Sequence, residues 1–523
     1  MYKLVVLRLS PEDAYDNTTI LKSLAKYCNI TTSDITGHYL IRRSVDARQR
    51  QVKLQLQYGV FINEEPKPPH REIPIYNMVQ NAPSVIIVGC GPAGLFCALR
   101  LIEFGLKPII IERGADISKR KIHIANLQRS GKLNPDSNYA FGEGGAGTFS
   151  DGKLFTRSTK RGNVHRILSI FVNHGANEEI LIDAHPHIGT DKLPNIIRNM
   201  RETIINHGGE VRFDSKMDDI LIDNNNVKGI KLSDGTIIES NYVVLSTGHS
   251  ANDVYHLLSK LNVALEAKSW AMGVRVEHPQ QLIDQIQYHS REGRGKYLPA
   301  ATYSLVTQVD NRGCYSFCMC PGGFIVPAMT DSDTLVVNGM SPSNRNSHYA
   351  NSGIVVEVRP EDIAPNYTPD AIGCLSYRTD VERLAFTYSK PGFQSPAQRL
   401  TDFVESKPSQ SLPRCSYVPG IVPSPMDYWL PANISKQLQR AFRNFDKSMH
   451  GFLTNEAIVV GLESRTSSPV RILRDKITYE SVSTKGLFPC GEGAGYAGGI
   501  VSSAIDGELT AESIARIAMH ITK

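Results

Sequence analysis

Residues 84–114 read SVIIVGCGPAGLFCALRLIEFGLKPIIIERG. Val85–Val88 is β-branched and apolar throughout, as a strand buried on both faces requires. It stops at a G-x-G-x-x-G turn formed by Gly89, Gly91 and Gly94, with Pro92 and Ala93 between the second and third glycines. Ala93–Phe104 then has helical spacing, and Gly105 is the expected C-terminal stop. Pro108–Ile111 is a second apolar strand. It is closed by Glu112, 23 residues after Gly89. A dinucleotide-binding turn uses each of these features. Gly89 permits the tight bend, Gly91 lets the backbone approach a pyrophosphate, and Gly94 lets helix and strand pack closely. The helix N-terminus offers free N–H groups to the phosphates, and an acid roughly 20 residues on accepts the ribose hydroxyls. A glycine-rich packing turn would leave the position of the acid without a reason.

A second glycine-rich stretch, FPCGEGAGYAGGIVSSAIDG, lies far downstream at 488–507. The spacing predicts a strand over Gly486–Cys490 and a helix from Ile500 to Met519. A simple nicotinamide enzyme has no need of this second turn. FAD is longer, and its ribityl chain and isoalloxazine ring extend beyond the first βαβ unit. On this reading Gly491, Glu492 and Gly493 reach the ribityl–pyrophosphate region. Gly495, Gly498 and Gly499 let the chain pass against the ring, and the Ile500 end of the helix points its positive dipole at the flavin's pyrimidine edge. The plainer alternative is a glycine-rich loop capping a terminal helix.

The rest of the chain is arranged around these two turns. Residues 1–63 form a small α+β unit: Tyr2–Leu9 strand, Thr18–Tyr27 helix, Tyr39–Ser44 strand, then Gln51–Val60 with Val52, Leu54, Leu56, Tyr58 and Val60 on one face. EEPKPPHREIP, 64–74, carries four prolines, so 64–82 reads as an extended linker. The segment 83–265 is the first part of the nucleotide-binding domain. Within it, the stretch 185–210 predicts a helix to Asn206 capped by Thr190 or Asp191. Strands are expected at Val211–Phe213, Ile220–Asp223, Val227–Leu232 and Thr236–Leu245. Residues 266–475 lose the βα alternation and read as an inserted substrate or cap domain, and 476–523 returns to the nucleotide-binding domain. The fold class is therefore α/β with α+β parts: a Rossmann-like FAD domain, a mixed insert and an N-terminal βαββ unit.

Composition is ordinary for a soluble globular protein. The chain has 523 residues, 41% hydrophobic and 21% charged, with a net charge of +5 and nine cysteines. Two to four domains fit that length. There is no basic stripe with interleaved aromatics, so nucleic acid is not expected as a partner. No apolar run reaches the roughly 18 residues that cross a bilayer, so no membrane partner is expected. An odd, scattered set of cysteines reads as free thiols of a cytoplasmic protein. Nothing in the pattern specifies an oligomeric state.

Taken together, VIIVGCGPAGLFCALRL, IERG, FGEGGAGTFSDGKLFTR, LSTGHSANDV and GLFPCGEGAGYAGGIVSSAIDG resemble the FAD-dependent dehydrogenases of the glutathione-reductase-like fold. With RRSVDAR at 42–48, CMCPGG at 318–323 and NSG at 351–353, the chain is similar over nearly its whole length to a poorly characterised FAD-dependent oxidoreductase family with a small N-terminal α/β domain. The resemblance implies FAD and a redox role, with no settled substrate. It implies cofactor contacts at Gly89, Gly91, Pro92, Ala93, Gly94, Glu112 and Arg113, at Thr247 and Gly248, and at Gly491, Glu492, Gly498, Gly499 and Ile500. It also sets the loop 141–154 against the flavin, through Gly145, Gly147, Thr148 and Ser150. By composition alone that loop could equally be a surface turn. Glu492 departs from the wider fold, where Asp is usual; Glu is one methylene longer and still accepts a ribityl hydroxyl bond.

Candidate catalytic residues are Lys153, His187, Cys318 and Cys320. Lys153 could favour reduced flavin by its charge. His185, His187 and His278 could move protons, or be structural. Arg275, Arg345 and Arg465 could bind an anionic substrate or pair with carboxylates. Cys318 and Cys320, one residue apart, would share a strand face. They could be a redox dithiol, metal ligands, or small residues where the chain nears the flavin. No metal site is expected, for want of a second Cys/His pair. The function expected is transfer of a hydride or electron pair between FAD and an unidentified small-molecule substrate. With no second G-x-G-x-x-G unit, NAD(P)H or another donor would visit only transiently. The competing readings are an NAD(P)-dependent dehydrogenase without flavin and an FAD-stabilised scaffold or interaction protein.

Overall fold

In the computed structural model, residues 1–67, 71–156 and 161–519 are described. A five-stranded parallel sheet forms the centre, ordered Leu487–Pro489, Val243–Leu245, Ser84–Val88, Lys107–Ile111, Glu210–Arg212. These strands are short and largely apolar because helices and a second sheet cover both faces. The helix Pro92–Glu103 packs on one face with Val164–Asn173, Leu193–Asn206 and the C-terminal helix Ile500–Ala518. A three-stranded antiparallel meander, Met217–Asp223, Asn226–Leu232 and Ile237–Glu239, and the helix Asn252–Lys260 cover the other. The chain order reverses between Ser84–Val88 and Val243–Leu245, and ligands of such sheets sit at the strand C-termini beside that reversal.

Two expectations are corrected in this domain. Thr236–Leu245 is not one strand: Ile237–Glu239 belongs to the meander and Val243–Leu245 to the central sheet. Ser240 makes the break, its hydroxyl donating to Ser84 O at 2.9 Å and taking the Tyr242 N–H at 3.1 Å. The helix Leu193–Asn206 begins after Lys192, with no side-chain cap. Asp191 instead accepts the Ser343 N–H and hydroxyl at 2.6 and 2.7 Å, which ties the helix start to the middle domain.

That middle domain enters and leaves through one antiparallel pair, Leu265–Ala267 against Val470–Ile472. Its main sheet has seven strands, ordered Val306–Val309, Arg312–Cys320, Tyr349–Val358, Trp270–Pro279, Ile458–Glu463, Ser395–Arg399, Ile421–Pro423. Strands distant in sequence pair here, so the chain lacks the local βα rhythm. Phe403, Phe442, Phe445 and Phe452 fill the core against the helix Ala432–Ser448.

The N-terminal unit is a three-stranded antiparallel sheet, with Lys53–Ile62 between Tyr2–Leu9 and Ile35–Asp46, and the helix Asn17–Cys28 alongside. Leu54, Leu56, Tyr58 and Val60 are buried, as the alternation requires. Arg43 docks this unit on the nucleotide-binding domain. Its Nε lies 2.8 Å from Asp183, and its backbone exchanges hydrogen bonds with Ile182 and Ala184. Part of the expected linker, 68–70, lies outside the described residues. The rest has no helix or strand but is held down, Arg71 to Asn173 at 2.7 Å and Val79 N to His207 O at 2.8 Å. Among the described residues no helix is long and apolar enough to cross a membrane.

Candidate functional site

A cavity of about 380 Å³ opens at the C-terminal ends of Ser84–Val88 and Val243–Leu245, a size typical of small-molecule sites. Two helices aim their N-termini into it. Pro92–Glu103 starts after Gly91 and Ile500–Ala518 after Gly499, and neither has a side-chain cap. Their first N–H groups are therefore available to a ligand, with the positive ends of both dipoles behind them. The helices cross closely because Gly507 lacks a side chain: a Cβ there would stand 2.2 Å from Ala93 O.

The glycines around the cavity are of two kinds. A Cβ on Gly94 would come within 2.1 Å of Gly89 O, and one on Gly493 within 2.6 Å of Gly248 O, so these permit protein–protein contact. A Cβ on Gly248, Gly498 or Gly499 would meet nothing within 4 Å, and one on Gly91 only the Gly145 Cα at 3.9 Å. That bare backbone forms a cradle on the cavity wall, which fits a long, flat ligand carrying phosphates.

At the sheet end of the cavity Glu112, 5% exposed, accepts the N–H groups of Cys90, Gly114 and Gly142, each at 2.9 Å. Its carboxylate is thus fixed at the tip of the strand, on the wall. Arg113 pairs with Asp253 and Asp136, and its guanidinium lies 4.4 Å from the Phe141 ring centroid. Ser215, Lys216, Met217 and Val254 complete this end.

The opposite end is walled by the middle domain through Phe317, Cys318, Asn338 and Arg465, with Lys153 and Asp151 from the loop 141–154. Lys153 Nζ donates to Met319 O and lies 3.9 Å from Asp151. Burial opposes the charge of Lys153, but Cys318, Cys320 and Asp151 outweigh it and raise its pKa. Asp151 is paired with Arg345 at 2.7 Å, which holds its carboxyl below the usual range against the effect of burial. Arg465 is clamped by Glu382 at 2.8 Å. His249 Nε2 lies 2.9 Å from Arg465 O, and burial with Arg378, Arg465 and Lys268 nearby lowers its pKa to about 3, so it is neutral. Burial pushes the Glu492 carboxyl up to about 7, partly opposed by Lys268.

Gly89, Gly91, Pro92, Ala93, Glu112, Arg113, Gly145, Gly147, Ser150, Thr247, Gly248, Glu492, Gly498, Gly499, Ile500, Lys153 and Cys318 all lie on the cavity wall. The structure brings these together from six separate segments. Other expected residues stand behind the wall. Gly94 is pressed on Gly89, and Thr148 is fully buried, its hydroxyl donating to Glu143 O at 2.8 Å. Gly491 donates to Asp506 at 2.7 Å and abuts Ala93, and Gly495 abuts Arg471. Position in a glycine-rich run does not decide which glycines face a ligand; the packing of the next segment does.

His187 also lies off the wall, its Nε2 3.0 Å from Ser343 O. His185 packs on Phe155, while His278 is buried against Phe452, 2.8 Å from its carbonyl. Arg275 is buried and paired with Glu463 at 2.7 Å. Cys318 and Cys320 are not placed by regular strand alternation. The pairing shifts register between Phe317 and Cys320, and Cys318 adopts a left-handed φ of 46°. Cys318 therefore reaches the cavity and Cys320 is fully buried behind it. Phe317, Asn338 and His249 were not singled out from the sequence. His249 directly follows Thr247 and Gly248, and that adjacency was its only signal.

Residues 269–466 match the family model described as FAD-dependent protein, C-terminal domain-like, and residues 1–61 match a domain of unknown function. An uncharacterized protein of Clostridium beijerinckii is 38% identical over 527 residues, covering 97% of each chain. Among solved structures, the flavin-dependent brominase Bmp2 aligns at 14% identity over 83% of this chain and 79% of its own, with a TM-score of 0.35. CtdE in complex with FAD aligns at 11% identity over 84% of each chain, with a TM-score of 0.32.

Proposed function

This chain belongs to the family of FAD-dependent proteins that includes the clostridial relative, with FAD as its cofactor, and we propose that it is an oxidoreductase moving a hydride or electron pair between that cofactor and a small molecule. The observation that carries this reading is one cavity with two uncapped helix N-termini and bare glycine backbone along its wall. Gly89, Gly91 and the N-terminus at Pro92 would hold the pyrophosphate, and Glu112 the adenosine ribose. Gly498, Gly499 and Ile500 would stand at the flavin end with Glu492. Bound FAD supplies reversible acceptance of two electrons.

The chain's own residues then set the conditions for that transfer. The dipole of Ile500–Ala518 favours negative charge at the end of the cavity it faces. The Lys153 ammonium adds to that field. Neutral His249 and the Glu492 carboxyl stand 3.9 Å apart, a pair able to hold or release one proton near neutral pH. Arg465 and Asn338 offer polar groups to a substrate between the middle sheet and the cofactor. NAD(P)H, if it is the donor, reaches this place as a transient visitor in a cytoplasmic protein.

The test is direct. Purified protein should be yellow, release FAD on denaturation, and lose flavin colour anaerobically with a reducing substrate or NAD(P)H. Colourless protein that takes up no added FAD would refute the reading.

A further inference from the structure

The proposed function leaves unused a group of reactive side chains at the middle-domain end of the cavity. Cys318 lines that end, with its backbone in a left-handed turn at the point where the strand Arg312–Cys320 slips register. A left-handed φ at a non-glycine, non-asparagine residue is uncommon. Here it has a defined result, which is to put one sulfur on the wall and keep its neighbour behind it. The Cys320 thiol is fully buried yet touches two polar groups, Cys318 O at 3.2 Å and the Arg275 guanidinium at 3.6 Å, and it interacts electrostatically with the Cys318 sulfur.

Two cations flank the pair. Arg275, buried and held by Glu463 at 2.7 Å, also donates to Cys318 O at 2.7 Å. Lys153 donates to the carbonyl of Met319, the residue between the two cysteines. The carboxylate nearest Lys153, Asp151, is itself neutralised by Arg345. Acceptance of the Cys320 S–H bond, with Lys153 and Arg275 adding to it, pulls the Cys318 thiol well below its ordinary range. As the donor, and buried, Cys320 is pushed up. A sulfur on the cavity wall whose ionisation is favoured, backed by a buried thiol whose ionisation is opposed, is the arrangement of a nucleophilic sulfur and its resolving partner.

We propose that Cys318 and Cys320 are a redox couple for the flavin, Cys318 being the sulfur presented to it and Cys320 the sulfur that completes the exchange, which makes a small dithiol or disulfide the substrate class. This rests on the FAD-oxidoreductase reading above. In one direction the Cys318 thiolate and Cys320 thiol give up an electron pair and one proton, and an S–S bond forms. The pair and the proton would pass to bound oxidised FAD, which supplies a two-electron acceptor. The protein disulfide is then reopened by a dithiol reaching Cys318 through the cavity, whose own two sulfurs leave joined. The reverse sequence reduces a disulfide at the expense of the reduced cofactor. Either way the electrons balance with no further oxidant or reductant.

Dithiothreitol is the probe, used anaerobically on the full FAD-loaded chain, with flavin absorbance followed in time. Wild type should bleach at least about tenfold faster than Cys318→Ser or Cys320→Ser, since each variant removes one sulfur of the exchange. After air reoxidation, mass spectrometry of the wild-type peptide holding both cysteines should find it two hydrogens lighter than its dithiol form; this readout needs no variant to fold. Equal bleaching in all three proteins with flavin retained, or two free thiols in the reoxidised wild-type peptide, would overturn the couple and leave the flavoprotein reading standing. Wild-type protein that binds no flavin would overturn both.

Discussion

The two glycine-rich turns, 89–94 and 491–499, serve one cavity with different divisions of labour. In the first, a Cβ on Gly89 or Gly94 would be driven into protein, and only at Gly91 is the place of a side chain open. In the second, Gly491, Gly493 and Gly495 are pressed against Ala93, Gly248 and Arg471. The bare pair is Gly498 and Gly499, at the start of the C-terminal helix. Each turn thus spends most of its glycines on packing its helix and strands tightly, and few on the cofactor. The density of glycine marks a crowded junction. An open space where a side chain would stand marks the ligand.

The sharpest way to break that comparison is to make one substitution on both sides of the divide. Gly94→Ala drives a Cβ to 2.1 Å from Gly89 O, a backbone atom held by its own sheet. It should cost about 2–3 kcal/mol of stability and abolish flavin retention. Gly498→Ala meets nothing within 4 Å. It should leave the flavin-free protein within about 0.5 kcal/mol of wild type, yet lower its flavin content. Urea unfolding of the flavin-free proteins and the ratio of flavin to protein absorbance read both effects. Equal loss of stability in the two variants would dissolve the distinction.

Glu112→Ala comes next in size. The carboxylate holds three backbone N–H groups of the first turn and its neighbours, whereas the buried carboxylate of the second turn, Asp506, takes one backbone N–H, from Gly491, and pairs with Arg474. Losing a charge-assisted acceptor should weaken FAD binding by about 1.5–3 kcal/mol, roughly 10- to 150-fold. The orphaned N–H groups should also destabilise the flavin-free protein. Flavin titration followed by fluorescence measures the first effect. Unchanged affinity would remove Glu112 from the ribose.

The first turn was legible from sequence because its signals are local: strand, glycines, helix and acid follow one another within a single βαβ unit. The N-terminal sheet was legible for the same reason, its alternation in Lys53–Ile62 being a property of one strand. What stayed hidden depends on segments far apart in the chain. Asp191 lost its capping role to Ser343, more than a hundred residues on. A register shift against Tyr349–Val358 puts Cys318 on the cavity wall and Cys320 behind it. The central pairings of the seven-stranded sheet join strands that are not neighbours in sequence, such as Trp270–Pro279 with Tyr349–Val358 and Ile458–Glu463. Ser240 is the exception: a local break that strand propensity on either side concealed.

The smallest effect expected is a pH dependence that belongs to the second turn. Burial raises the Glu492 carboxyl from 4.5 to about 7. Between those values the native state holds a proton that the unfolded chain releases, so stability falls as pH rises through the interval and levels off above about 7. Glu277 and Glu508, each also raised to about 7 by burial, act in the same direction. Buried His249 and His278, lowered to about 3 and about 4, act the opposite way, because the unfolded chain protonates them below about 6.5 and the native chain does not, so the Glu492 contribution is read by difference between wild type and variant. With 27% of the Glu492 side chain exposed, solvent screening reduces that contribution to about 1 kcal/mol. Glu492→Gln should remove that amount from the pH-dependent change in flavin-free stability and leave the contributions of the other groups in place. Urea unfolding of wild type and variant at pH 5 and pH 7.5 isolates the difference. Parallel profiles would mean that Glu492 is ionised as easily in the folded chain as in the unfolded one, and that the second turn contributes backbone and helix dipole to the cavity but no titrating group.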